Sequence, residues 1–347
     1  MGRAAVTIHD VAARYGCAIS TVSAALNGGP GVSTATRTAI AALAAEMGYV
    51  PDAQARRLRR RRRRLLGLCF EAGQSFQADV LDAVYRAAAV IDYDLVLAAT
   101  TPGHAQAAGV RSLVANRCEA ILLVGSSLPR PDLADLCARL PVVLISHDVR
   151  APGVDTVTSA DAEGMGALMA HILATDRRDI AYVDGAASAM AARRRTAYRA
   201  AMDRAGLTER TRVIAGGRTE ADGITATARL LADGPPPEAI LGFNDQVALG
   251  ALLELRRRGI ETPAGTAVAG YDDAALAAAV GLTTVRHDVT GLAVAAVGRL
   301  AHRLRDDDVL AGPAAADPRW APTALSRRHQ QVPTTLIVRA STAATGR

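Results

Sequence analysis

The chain has 347 residues, of which 50% are hydrophobic, only 3% aromatic and 21% charged, with a formal net charge of +6. That length suits a small module beside one large domain whose core is aliphatic rather than aromatic. No apolar run reaches the roughly 18 residues needed to cross a bilayer, and the amino end has no apolar block followed by a cleavage site; the four cysteines (Cys17, Cys69, Cys118, Cys137) have neither metal-ligand nor redox spacing. These features predict a cytoplasmic protein with buried thiols, no metal and no cofactor.

Charge is unevenly distributed. Every basic residue is an arginine. Residues 1–64 hold 11 arginines against three acids (Asp10, Glu46, Asp52), whereas the other 283 hold 29 against 31. All of the net positive charge therefore sits in the first fifth, the electrostatic footprint of a nucleic-acid-binding arm on a near-neutral globular domain.

Thr7 can cap a first helix, with Asp10 three residues on completing a box-like start. Ile8, Val11 and Ala12 then recur at helical spacing, and Gly16 suits the left-handed stop. A second helix is expected over about 18–26, with Val22, Ala25 and Leu26 inward and Ile19, Ser20, Ser23 and Ala24 able to face outward. Asn27 and the turn Gly28–Gly31 end it, and Ser33 caps a third helix over about 34–47. Two short helices, a tight turn and a supporting helix make a helix-turn-helix; pattern alone also fits a generic three-helix unit, and the neighbouring charge favours the former.

Residues 56–64 contain eight arginines and one apolar residue, Leu58. Six consecutive like charges, Arg59–Arg64, repel one another in water, but against DNA phosphates they release counterions and bind. Leu58 is placed to wedge into a minor groove.

From Leu65 onward short apolar runs alternate with amphipathic stretches. Strands are predicted at 65–70, 94–98, 120–124, 142–145, 180–184, 238–242 and 267–269. Helices are predicted near 77–91, 103–116, 161–174, 189–205, 220–232, 244–258 and 289–305. Such alternation predicts an α/β domain of parallel sheets, too large for one sheet, hence two Rossmann-like subdomains with a cleft between them. Residues 311–332, rich in alanine, proline and arginine, read as an extended loop containing the lone tryptophan, Trp320.

Several strings, taken in order, resemble the lactose-repressor (LacI/GalR) family: Val6–Asn27, Val32-Ser33, Thr36-Arg37, Gly48–Pro51, Ala55–Leu58, Phe243–Gly250, Val268–Asp273, Leu282–Val285 and Thr335–Arg339. The resemblance covers nearly the whole chain. It implies a helix-turn-helix domain (1–49), a hinge (50–64) and an effector-binding domain of periplasmic-binding-protein type (65–347). The latter would comprise an N-subdomain (65–159 and 289–325) and a C-subdomain (160–288 and 326–347), with crossings near 159, 288 and 325. It further implies a homodimer on a pseudo-palindromic double-stranded operator. The function implied is a transcriptional regulator, typically a repressor, controlled by a small-molecule effector such as a carbohydrate, with no catalytic residues.

The residues this resemblance implies for DNA are Thr7, Ile19, Ser20, Thr21, Ser23, Ala24, Asn27, Ser33, Thr36, Ala55, Arg56 and Leu58. Those implied for the effector are Phe76, Ser126, Ser146, His147, Arg194, Asn244, Asp245, Asp272 and His287, most of which follow predicted strands, where open α/β sheets bind ligands. Each has a structural alternative: Asn244 as a helix cap, Asp272 as a turn residue, Arg194 as a surface charge, His287 as a satisfied crossover residue. The assignment rests on the set. Phe76, Tyr198, Phe243 and Tyr271 are the flat rings available for stacking.

The sequence departs from the family pattern at Ala18 and Ala24 in the second helix, at Ser146, where aspartate is frequent, and at Ala197, where glycine is usual. No bidentate arginine or glutamine is left on the reading helix.

Competing classes are an enzyme, a solute-binding protein of a transport system, a non-enzymatic small-molecule-binding protein and a nonspecific architectural DNA-binding protein. The sequence has no GxGxxG after a strand, no phosphate loop, no GxSxG and no HExxH, and it has no lysine to act as a catalytic base. With little base-edge chemistry available, the arginine-rich arm should supply much of the affinity. A salt titration of DNA binding is expected to give a log–log slope steeper than about −4, at about −0.9 per phosphate contact; a shallower slope would contradict it.

Overall fold

The computed structural model of the chain describes residues 6–26, 28–49, 63–149, 153–185, 189–306, 309, 312 and 317–343. The chain divides into two compact units, Met1–Arg63 and Arg64–Arg347.

In the first unit α1 (Ile8–Tyr15), α2 (Ile19–Leu26) and α3 (Thr34–Glu46) pack around Val11, Ala12, Val22, Ala25, Ile40 and Ala44. The Thr7 N–H donates to Asp10 Oδ2 at 2.8 Å, and Thr7 Oγ1 accepts from the Asp10 N–H at 3.4 Å, a reciprocal capping box. Those bonds hold the Asp10 carboxyl below its ordinary value. Gly16 stops α1 in the left-handed region at φ 79°. Arg37 closes the end of α2: its guanidinium donates to the carbonyls of Ala24 (3.3 Å) and Ala25 (3.2 Å) in the last turn and of Gly29 (3.1 Å) in the turn that follows.

The second unit has two lobes. Lobe one carries a six-stranded, all-parallel sheet in the order β11-β5-β4-β3-β1-β2. Its strands are β1 (Leu65–Glu71), β2 (Asp94–Thr100), β3 (Ala120–Val124), β4 (Val142–Ile145), β5 (Asp155–Ser159) and β11 (His329–Val332). Helices α4 (Ser75–Val90), α5 (Gln106–Ala115), α6 (Arg130–Arg139) and α12 (Val289–Leu304) pack on this sheet.

Lobe two carries β6 (Ile180–Asp184), β7 (Arg212–Ala215), β8 (Ala239–Gly242) and β9 (Ala267–Ala269) in the parallel order β7-β6-β8-β9. An antiparallel pair, β10 (Thr284–His287) with β12 (Thr334–Ile337), is joined to β9 by bridges at Ala269–Thr283 and Asp272–Arg286. The helices of this lobe are α7 (Asp161–Ala174), α8 (Ala189–Arg204), α9 (Glu220–Ala232), α10 (Asp245–Arg257) and α11 (Ala275–Ala279). Strands such as β3, β4, β6 and β8 are buried along their whole length, which is why they read as unbroken apolar runs.

The predicted elements of this unit all form, and the structure adds α6, α11, β5, β7, β10, β11 and β12. It also moves the third crossing. β11 lies beside β5 in lobe one, so the chain passes between lobes at Pro333 rather than near 325, and residues 326–332 belong to the first lobe. The long loop expected over 311–332 is in part ordered core: Trp320 and Leu325 are buried against α12, where a side chain at Gly298 would press on both.

β5 escaped a hydrophobicity reading because its buried polar groups are satisfied internally, and β11 because it is an edge strand whose side chains are mostly exposed or half-buried. Asp155, at 0% exposure, accepts from Arg299 Nε (3.1 Å), Arg303 (2.8 Å) and Arg328 Nε (3.0 Å). Burial alone would raise its carboxyl; the three arginines hold it below its ordinary value.

Arg64, the last of the arginine run, also differs from expectation. Its guanidinium donates to the Ile91 carbonyl at 3.1 Å and lies 5.7 Å from the Tyr93 ring centre, and its backbone N–H donates to Glu119. It is anchored in lobe one instead of belonging to the hinge.

Candidate functional site

Within the first unit, Ser20, Thr7 and Ser33 are exposed, while Thr21, Ser23, Ala24 and Thr36 are half-buried. Ile19, expected to face outward, is half-buried against the module's own core, so only part of it is open to a base edge. The Thr7 and Ser33 hydroxyls cap α1 and α3. Asn27, Ala55, Arg56 and Leu58, and with them most of the hinge, lie outside the described residues.

In the second unit a cleft of about 410 Å³ opens between the lobes at the carboxyl ends of both sheets. Lobe one lines it with Glu71, Phe76, Gln106, Ser126, Ser127, Ser146 and His147, and lobe two with Met190, Arg218, Phe243, Asn244 and Asp272.

The lobe-one wall is built by side chains that order loops. Gln106 Oε1 accepts from the Ser127 N–H at 2.8 Å, fixing the loop after β3. His147 Nδ1 accepts from the Ser126 N–H at 3.0 Å, which leaves the proton of the neutral ring on Nε2. Burial, and then nearby Arg193, lower the His147 pKa, so the ring is a neutral donor. Ser146 is buried with a left-handed backbone (φ 60°), and its hydroxyl has no hydrogen-bond partner. An unmet hydroxyl in a cleft wall is costly unless something entering the cleft meets it.

The lobe-two wall rests on Arg194, whose side chain is 0% exposed. Its Nε donates to Asp161 (3.2 Å), one terminal nitrogen donates to the Phe243 carbonyl (2.6 Å), and the other donates to Asp272 Oδ1 (3.3 Å) and lies 3.0 Å from His287 Nε2. Its guanidinium sits 3.6 Å from the Tyr271 ring centre and 4.9 Å from that of Phe243. Burial opposes the charge, but Asp161 and Asp272 outweigh it and raise the Arg194 pKa. Asp161 is shifted below its ordinary value despite its own burial, by Arg194, His287 and Arg193.

Asp272, at the cleft surface, is held through Oδ1 by Arg194 and by His287 Nε2 (3.1 Å), with its backbone at φ 114°. A non-glycine residue in that region stores strain of the kind found at ligand clamps. His287 Nδ1 in turn meets Ser159 Oγ at 2.7 Å.

The predicted residues thus divide. Phe76, Ser126, Ser146, His147, Asn244 and Asp272 line the cleft together. Arg194 and His287 stand behind Asp272 and hold it. Asp245 is buried under the loop: its carboxylate accepts from the Ala274 N–H (2.7 Å) and from Thr284 Oγ1 (2.6 Å). Asn244 faces the cleft but is committed at both ends, capping α10 at Val247 N (2.9 Å) and donating to the Arg218 carbonyl (3.1 Å).

Of the four candidate rings, Phe76 and Phe243 reach the cleft. Tyr271 lies beneath Arg194, and Tyr198 is buried beside Tyr182, donating to the Ile180 carbonyl at 2.7 Å. Gly185 lets the Phe243 ring lie against the chain, since a Cβ there would overlap it.

Glu71, Gln106 and Arg218 were not anticipated. Glu71 directly follows the strand predicted at 65–70, which the structure extends to include it, and was open to the same strand-end rule. Arg218 follows β7, which was not recognised, and nothing in the local pattern marks Gln106.

A helix-turn-helix followed by two parallel-sheet lobes around a polar cleft defines the class of ligand-responsive DNA-binding regulators. Residues 7–52 match the model of bacterial regulatory proteins of the lacI family, and residues 65–302 match that of periplasmic binding proteins and the sugar binding domain of the LacI family. The chain belongs to the LacI family, whose members are transcriptional regulators and not enzymes.

It is 28% identical to the HTH-type transcriptional regulator GalR of Escherichia coli (strain K12) over 309 residues, 87% of this chain and 90% of that one. Among solved structures, a LacI transcriptional regulator from a Rhodococcus species is 34% identical with a TM-score of 0.71, covering 82% of this chain and all of the other. A complex of the regulator CelR with cellobiose is 25% identical with a TM-score of 0.67, covering 97% and 99%. A lac repressor dimer bound to operator and an anti-inducer shares the fold at a TM-score of 0.80 and 24% identity, covering 98% of this chain and all of the other.

Asp245 provides a pH test. Burial, followed by the Asp272 charge, pushes its carboxyl up to about 7, from an ordinary value of 3.8. The folded state therefore holds a proton that the unfolded state releases, and stability should fall as pH rises from about 4 through about 7. Asp245→Asn imitates the protonated acid. Its melting temperature is expected to drop less than that of the parent protein between pH 5 and pH 8; equal drops would contradict the assignment.

Proposed function

We propose that the cleft takes a neutral, polyhydroxylated molecule of about one ring, a monosaccharide or near relative, and that its binding sets the grip of the amino-terminal arm on operator DNA. The observation that carries this is Asp272, one oxygen of which is fixed by Arg194 and His287 while the carboxylate faces a cleft containing the unmet Ser146 hydroxyl. A carboxylate held in this way accepts hydrogen bonds from adjacent hydroxyls, and Phe76 and Phe243 offer apolar faces for the ring.

The ionised groups in and just behind the cleft wall are matched: Glu71 with Arg218, Asp272 and Asp161 with Arg194 and Arg193. A ligand with its own net charge would have to break one of these pairs. The relative captured with cellobiose is consistent with a carbohydrate.

In this reading the protein works in the cytoplasm as a homodimer. It places two copies of α2 on a pseudo-palindromic site, with Leu58 of each copy at the centre, and acts as a repressor whose affinity the effector adjusts. Among the described residues no helix is long and apolar enough to cross a membrane.

The test is calorimetric titration of the whole protein with neutral monosaccharides, uronates and sugar phosphates, alongside DNA binding to fragments recovered by genomic footprinting. A neutral sugar should bind, and Asp272→Ala should weaken it by about tenfold to a hundredfold while DNA binding persists. Tighter binding of an anionic sugar than of any neutral one would overturn the reading.

A further inference from the structure

Glu71 and Arg218 face each other across the cleft. Glu71 ends β1 in lobe one, and Arg218 precedes α9 in lobe two. Arg218 donates through one terminal nitrogen to Glu71 Oε2 at 2.7 Å and through the other to Glu71 Oε1, a fork on a fork. Among the described residues it is the one ion pair that joins the lobes.

Both ends are braced. The Glu71 N–H donates to Gln77 Oε1. The Arg218 N–H donates to Asp222 Oδ2 (2.9 Å), and its carbonyl accepts from Asn244 Nδ2 (3.1 Å). The Asn244 amide therefore links the cap of α10 to the residue that reaches across.

From this geometry we propose that the Glu71–Arg218 fork is a clasp that holds the two lobes closed over the cleft and sets how readily a ligand enters and leaves. The proposal builds on the cleft as the ligand site and adds a positioning pair to it. The two side chains are 38% and 32% exposed, so water and salt screen the pair. That suits a reversible catch, in contrast to the buried Arg194 cluster, which no ordinary fluctuation opens. Because the pair is bidentate, replacing either member by its amide or by glutamine removes the fork without emptying the space. Entry then requires the fork to part, so a loosened clasp speeds both entry and escape.

The test is hydrogen–deuterium exchange on the full chain with no ligand added. It follows the cleft-facing loops 125–128 and 216–219, with β3 as an internal reference for an intact fold. Glu71→Gln and Arg218→Gln should each speed exchange in both loops by about threefold to tenfold and leave β3 unchanged. The charge-reversed double variant E71R/R218E should return exchange toward the parent rate. Folded single variants that exchange like the parent, or a double variant as fast as the singles, would overturn the clasp.

Should a single variant fail to fold, the conservative variants Glu71→Asp and Arg218→Lys decide: each keeps the charge but breaks the two-point fork, so each should speed exchange in both loops, and parent-like exchange in both would overturn the clasp. Since no ligand enters the experiment, its failure counts against the clasp alone, whereas failure of the ligand reading shows in the calorimetric titration.

Discussion

A guanidinium removed from water must have its donors met by protein, and Arg194 meets that demand by drawing on three separate pieces of chain. Asp161 opens α7, Phe243 follows β8 and Asp272 follows β9, and all three accept from this one side chain from α8, while His287, at the end of β10, lies beside it and holds Asp272. Lysine could not replace it, because a single ammonium cannot span these acceptors or lie flat between the Tyr271 and Phe243 rings. The strand ends of lobe two are thus fixed relative to each other by a charge and not only by the aliphatic core beneath them. The cleft wall inherits that rigidity: Asp272 is presented at a strained backbone angle because Arg194 and His287 hold one of its oxygens.

The same pairing principle separates the two parts of the molecule. In the larger unit acids and arginines are nearly equal in number, and the buried ones occur in clusters such as Asp155 with Arg299, Arg303 and Arg328. In residues 1–64 arginines outnumber acids heavily, leaving charge available for phosphates. Arg64 stands at the boundary between the two, held by the larger unit through the Ile91 carbonyl and the Tyr93 ring.

Sequence reading recovered whatever leaves an apolar rhythm. The unbroken runs of β3, β4, β6 and β8, and the capped helices beginning at Thr7 and Ser33, were open to it because burial and capping each impose residue types locally. β5 was not, since Asp155, Thr156 and Ser159 look like a loop until their distant partners are known. β11 was missed for a different reason: it is an edge strand with mostly exposed or half-buried side chains, and its backbone ladder with β5 does not require apolar ones. At the site, the strand-end rule located Asp272, Ser126, Ser146 and His147. It could not tell Asp272, which faces the cleft, from Arg194 and Asp245, which stand behind it, because that distinction is made by contacts between residues 29 to 93 positions apart. Arg218 was hidden for want of one short strand.

The buried Arg194 cluster is the claim on which the lobe-two wall depends, and equilibrium urea unfolding tests it most directly. Arg194→Ala should cost about 3–5 kcal/mol by leaving buried Asp161 with Arg193 alone and Asp272 without its guanidinium partner. Arg86→Ala, which breaks only an exposed pair with Asp82, should cost about 0.5 kcal/mol or less. If Arg194→Ala unfolded at the same urea concentration as the parent protein, the cluster would not be holding the strand ends together and this account of the cleft would be wrong.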